Sequence, residues 1–132
     1  MMNVLILLAA AQATVVPAPA PAVPIDWSVL APLPYVVAPQ QSRALAGFVA
    51  GEIAAGRCPI ARPADGRYSV KVEVATLVGA DGVIRRTVPR AINCPTVEQY
   101  SAGLVLSFAR GNLHRATTDQ WYRATIVFDW NG

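Results

Sequence analysis

Residues Tyr68 to Val78 alternate without a break. Tyr68, Val70, Val72, Val74, Thr76 and Val78 fall on one side of an extended chain, with Ser69, Lys71, Glu73 and Ala75 on the other. A helix would scatter those valines around its circumference, whereas a strand puts them all on one face. The run therefore predicts a half-buried β-strand that needs a covering layer. Gly79-Ala80-Asp81-Gly82 follows, and its Asp-Gly pair tolerates the positive φ of a hairpin turn. Val83 to Arg90 returns as a second strand, with Ile84 and Val88 as inward positions. Arg86 falls between them in the same phase, so the pattern calls for a bulge or an out-turned Arg86. Trp121 to Trp130 alternates again, with Tyr122, Ala124, Ile126, Phe128 and Trp130 on one face.

The cover comes from two segments of helical period. Leu45, Phe48, Val49 and Ile53 recur at helix spacing between Gln41 and Ala55, and Gly56 supplies a stop. Thr96-Val-Glu-Gln99 fits a capping box opening a second helix. Val97, Tyr100, Leu104, Val105 and Phe108 make its apolar stripe, and Gly111 can end it. The order is α-β-β-α-β, an α+β fold. A right-handed crossover through the second helix brings the third strand beside the first. The expected sheet is three-stranded and antiparallel in order 2-1-3, with both helices on one face. The third strand is then an edge with backbone N–H and C=O groups turned outward.

Cys58 and Cys94 are the only cysteines, and each precedes a proline. One closes the first helix and the other opens the second, so a disulfide would tie the two helix ends. Metal binding needs three or four ligands, and His114 is the only histidine. A thioredoxin-type pair would place its cysteines two residues apart.

The N-terminus reads as an export signal. Val4 to Ala11 is a short apolar run, and Ala11-Gln12-Ala13 fits the small-x-small rule for cleavage after Ala13. A spanning helix needs about 20 apolar residues, and this run ends too early for a stable membrane span. Seven of the eleven prolines lie between Pro17 and Pro39. The alternating Pro and small residues favour an extended polyproline spacer. Trp27, Leu30, Leu33 and Tyr35 then either strap the domain or form a ligand-like peptide. The expected organisation is signal (1–13), spacer (14–40) and domain (41–132). An even cysteine count behind an export signal suits a disulfide and a periplasmic or secreted location.

The charge pattern argues against nucleic acid as a partner. The net charge is only +3, and the one close basic group, Arg85, Arg86 and Arg90, lies near Glu73 and Asp81 in sequence. No catalytic constellation is visible. His114 sits in a polar loop with nothing beside it to orient it as a base. Asp65, Asp81 and Asp119 fall in turns. No catalytic, cofactor or metal residue is assigned, and the chain is read as a non-enzyme without a cofactor.

Val70-Lys-Val-Glu-Val74, Asp81-Gly-Val-Ile84, the helix from Val97 to Phe108 and the closing Arg123-Ala-Thr-Ile-Val-Phe128 resemble the C-terminal domain of TonB-type energy transducers. The resemblance spans Gln41 to Trp130. It departs in several places: Pro34-Tyr35 reverses the family's tyrosine–proline order, and Leu113-His-Arg-Ala116 replaces a tryptophan-rich stretch. The resemblance implies the fold and a periplasmic setting, not energy transduction. It also implies that the last strand takes a partner peptide by strand addition, with Trp121, Arg123, Thr125 and Val127 as the contact positions. The implied partner is an outer-membrane transporter or another envelope protein. The competing expectation is a secreted structural or inhibitory module, using the Trp27–Tyr35 segment or the Arg85, Arg86 and Arg90 face.

Overall fold

A computed structural model describes residues 11, 22–24 and 26–132. The expected export signal, Ala11 aside, and the prolines from Pro17 to Pro21 lie outside the described residues. Five main elements follow in order: α1 (Ala46–Ala54), β1 (Arg67–Val78), β2 (Ile84–Pro89), α2 (Pro95–Ala109) and β3 (Gln120–Asn131). The sheet is antiparallel in order β2-β1-β3, as the alternation predicts. The valine-rich β1 is central, and it pairs with β3 along its whole length, from Arg67 opposite Asn131 to Val78 opposite Gln120.

The predicted inward face of β1 is the buried one. Val70, Val72, Val74 and Val78 join Tyr122, Ala124, Ile126 and Phe128 of β3 against Ala46 and Val49 of α1 and Val97, Ala102 and Val105 of α2. Tyr100 links three elements. Its ring lies 4.6 Å from that of Phe48 and 5.8 Å from that of Phe128, and its hydroxyl donates to the Leu45 carbonyl at 3.0 Å.

The first helix is shorter than the periodicity suggests. A single 3-10 turn over Arg43–Leu45 leads into α1. Its end is a Schellman motif: Gly56 takes φ +74°, its N–H donates to the Ile53 carbonyl, and the Arg57 N–H donates to the Glu52 carbonyl.

α2 begins differently from the expected capping box. Cys94 is the N-cap and Pro95 occupies the first turn, where its missing N–H costs nothing. Glu98 reaches back and accepts from the N–H groups of Cys94 (3.0 Å) and Ile92 (3.2 Å). Asn93, at φ +63°, turns the chain into this arrangement. The Thr96 hydroxyl is engaged elsewhere, donating to Glu52 at 2.7 Å.

The puzzle of Arg86 resolves as a bulge. Leu77 lies opposite Arg86 but Val78 lies opposite Ile84, so Arg85 is the extra residue. A bulge reverses the parity of the strand. Ile84 therefore packs under the helices, while Val88 packs on the opposite face with Ala75, Leu77 and Trp27. The expectation that Ile84 and Val88 share an inward face is corrected accordingly. The turn ahead of the bulge is held by Asp81, which accepts from the Val83 N–H and pairs with Arg85 at 2.8 Å.

Cys58 and Cys94 form a disulfide, with Cα atoms 5.0 Å apart. It joins the end of α1 to the start of α2. Beside it the buried Glu52 accepts two hydrogen bonds from Arg57, at 2.8 and 3.0 Å, as well as that of Thr96. The two helix ends are thus held by a covalent bond and by a charge-assisted cluster.

Candidate functional site

The pairing of β1 with β3 fixes which β3 backbone groups face outward. Both backbone groups of Arg123 bond away from β1, to Ala31 and Leu33, which leaves the even-numbered residues of β3 to bond β1. Along a strand the direction alternates. The outward positions are therefore Trp121, Arg123, Thr125 and Val127, the four expected contact residues, followed by Asp129 and Asn131.

Most of this edge is engaged by the chain itself. The segment before α1 leaves a 3-10 turn at Trp27–Val29, crosses β3 and continues to Val37. The Arg123 N–H donates to the Ala31 carbonyl at 2.8 Å, and the Leu33 N–H donates to the Arg123 carbonyl at 3.0 Å. This is a parallel bridge centred on Pro32. Two residues further along β3 a side chain takes over. The Gln41 amide donates to the Thr125 carbonyl at 3.2 Å and accepts from the Val127 N–H at 2.9 Å. An amide side chain has the donor and acceptor of a peptide unit, so Gln41 stands in for a neighbouring strand. No hydrogen bond from another described residue reaches Asp129 or Asn131 on this side.

The strap is anchored on both faces of the sheet. Leu30 is 6% exposed and lies on the face away from the helices, with Ala75, Leu77 and Trp121. Leu33 is 5% exposed and lies in the helix-covered core. Beyond it, Tyr35 bridges Leu113, and the His114 N–H donates to the Pro34 carbonyl. Asn112 clamps the end of the strap. Its side chain accepts from the Val37 N–H at 2.9 Å and donates to the Val37 carbonyl at 2.8 Å. Burial raises the Tyr35 phenol above its ordinary pKa. The roles of Gln41, Asn112 and the leucine pair are not visible in local sequence. The only signal was the apolar cluster after the prolines.

The basic residues in and just after β2 are dispersed into local contacts. Arg85 pairs with Asp81, and Arg90 pairs with Glu73 at 3.1 Å while lying 5.6 Å from the Trp27 ring centre. Arg86 is exposed.

A shallow cleft of about 410 Å³ opens at the far end of the β1–β3 pair, lined by Arg43, Arg67, Tyr68, Ser69, Asp129, Trp130 and Asn131. Tyr68 and Trp130 stack there at 4.9 Å. Ser69 and Asp129 stand opposite each other in this cleft, and no hydrogen bond joins their side chains. No hydrogen bond joins the His114 imidazole to another described residue. The buried Glu52 is fully engaged: Arg57 and Thr96, in that order, hold its carboxyl below the ordinary range against the opposing effect of burial. Among the described residues no cluster of three or more His, Cys, Asp or Glu could hold a metal ion, and no helix is long and apolar enough to cross a membrane.

No protein-family model matches the chain. Neither the curated proteins nor the solved structures contain a match.

Proposed function

We propose that this chain is an exported, non-catalytic protein-interaction domain of the TonB C-terminal type, which takes an envelope protein by strand addition along the outer edge of β3. The observation that carries the reading is the bridge at Arg123: an extended, proline-containing peptide is bound to the edge through its main chain. Main-chain bonding supplies affinity in this mode, and side-chain pockets on either face supply selectivity. The β3 edge offers both. The export setting is supported by the apolar N-terminal run and by the cystine, which persists in oxidising compartments.

Thr125 gives a clean test. Its N–H faces away from β1, so a proline there removes no ladder bond while its ring obstructs an incoming strand. A photo-reactive residue at Asp129 is expected to cross-link to an envelope protein in intact cells, and T125P is expected to abolish that cross-link with the melting curve preserved. Equal cross-linking from the folded proline variant would refute strand addition at this edge.

A second reading also has an observation behind it. The strap buries its own Leu30 and Leu33 against the sheet, which suits a structural or inhibitory module whose edge is closed for stability. Under that reading no cross-link from Asp129 depends on Thr125.

A further inference from the structure

We infer that the β3 edge is a peptide groove occupied in cis, and that the strap displays the chemistry of the ligand it accepts in trans. That ligand is an extended, proline-containing peptide with bulky aliphatic residues three apart. The inference rests on the strand-addition reading and specifies the partner.

The strap does not run along β3 as a fourth strand would. It crosses the edge, placing Leu30 on one face of the sheet and Leu33 on the other. Between them only the Ala31 carbonyl and the Leu33 N–H bond to β3. Pro32 lies at the centre of the bridge, where no donor is asked of it. Pro34 is likewise used only through its carbonyl, which accepts from the His114 N–H. The groove thus accepts proline at alternate positions, those whose nitrogen turns away from β3. Two apolar seats, one per face, set the spacing of the ligand's side chains.

Apart from its two leucine anchors and the Asn112 clamp, the strap leaves several side chains in solvent. Val29 and Val37 are each 69% exposed, and Val36 is exposed as well. The Thr125 carbonyl and the Val127 N–H are satisfied by the Gln41 side chain, which can swing aside without moving the backbone. A partner peptide with the same two aliphatic anchors can recover the bonds of the strap and extend over Thr125, Val127 and Asp129. An intramolecular competitor on a short tether acts at an effective concentration of roughly millimolar. The strap therefore lowers apparent affinity for an outside peptide and rejects segments lacking the paired anchors.

The test uses the full chain and a fluorescent peptide copying residues 27–37. In a variant carrying L30S and L33S the tethered strap loses both anchors. That variant, with its sheet spectrum intact, is expected to bind the probe about 100-fold more tightly than wild type, as a millimolar tethered competitor of ~10 µM affinity implies. A probe with serine at both leucine positions is expected to bind neither protein. Equal binding of the intact probe to both folded proteins overturns the inference, as does a strap-exchanged dimer of the variant by light scattering.

Should the double variant fail to fold, the wild-type chain with a protease site replacing residues 38–40 provides the second arm. After cutting, replacement of the retained strap by labelled probe supports the groove. A strap that never exchanges, or a domain that melts when it leaves, overturns it. Cross-linking from Asp129 that responds to T125P while the strap proves fixed would sink the groove but leave strand addition standing. Exchange of the probe without any such cross-link would do the reverse.

Discussion

The disulfide offers the sharpest quantitative check on how the two helices are held. Cys58 and Cys94 are separated by 36 residues, and both are almost wholly buried, at 3% and 1% exposure. In the chain-entropy model, a closed loop of that length removes about 4 kcal/mol of freedom from the unfolded state. Replacing both cysteines by alanine also deletes two packed sulfurs, adding roughly 1 kcal/mol. The folded geometry is expected to survive, because the Thr96 hydroxyl still bonds Glu52 at 2.7 Å across the same two helix ends. The loss is therefore predicted to come mainly through the unfolded state. Urea unfolding of the double variant C58A/C94A should show a stability lower by about 4–5 kcal/mol, equivalent to a fall in Tm of roughly 20 °C for a domain of this size. Its m-value should also rise, because an unbridged unfolded chain exposes more surface. A loss below ~1 kcal/mol with an unchanged m-value would refute the entropic account, since that model allows no such small effect at this loop length.

Two further outcomes follow from the packing and charge. Glu52 is held below its ordinary pKa of 4.5, chiefly by its hydrogen bonds from Arg57 and Thr96. A carboxylate with a depressed folded pKa contributes stability above the unfolded value and loses it as pH falls through the folded one. Stability is thus expected to decline below about pH 4.5, and E52Q to flatten that decline measurably in Tm against pH. Asp26 and Asp81, lowered first by hydrogen bonds from Ser28 and Val83 respectively, keep part of the acid sensitivity in that variant. In the strap, L33A should cost about 2 kcal/mol or more in chemical denaturation, whereas V29A, at an exposed site, should change stability by less than about 0.5 kcal/mol. Equal effects would mean that Leu33 is not seated in the core as described.

The sheet was legible because its signal is local. Period-two alternation in Tyr68–Val78 and Trp121–Trp130 assigns faces without knowledge of any neighbour, and strand order then follows from the handedness of one crossover. Where a second element intervened, local reading failed in specific ways. The bulge at Arg85 reversed the face of Val88, because one inserted residue flips every position beyond it. Thr96 has the sequence of an N-cap, but Glu52, distant in the chain, takes its hydroxyl, and Glu98 satisfies the N-cap donors instead. The strap was harder still. Its prolines speak for a spacer, while the two leucines that dock it find their seats only once the sheet exists. Gln41 reads as an ordinary polar residue ahead of a helix. Its role as a substitute strand depends on where β3 passes.

The two edges of this sheet are closed by unlike means, and the difference bears on function. An open edge invites indiscriminate pairing, so folded proteins blunt it. On β2 the protection is built into the strand. The Arg90 N–H donates to Glu73 of β1, so the neighbouring Pro89, opposite Val74, turns its missing donor outward. The Arg85 bulge disrupts the other end. Such an edge pairs poorly with an incoming strand. On β3 the strand is regular along its whole length, with no proline and no bulge, and its protection comes from separate pieces: a crossing peptide at Arg123 and a side-chain amide at Thr125 and Val127. A chain selected only against aggregation could have used the β2 solution twice. A complete strand under a separate cover is what the proposed strand addition at β3 requires, and the interrupted β2 edge does not provide it.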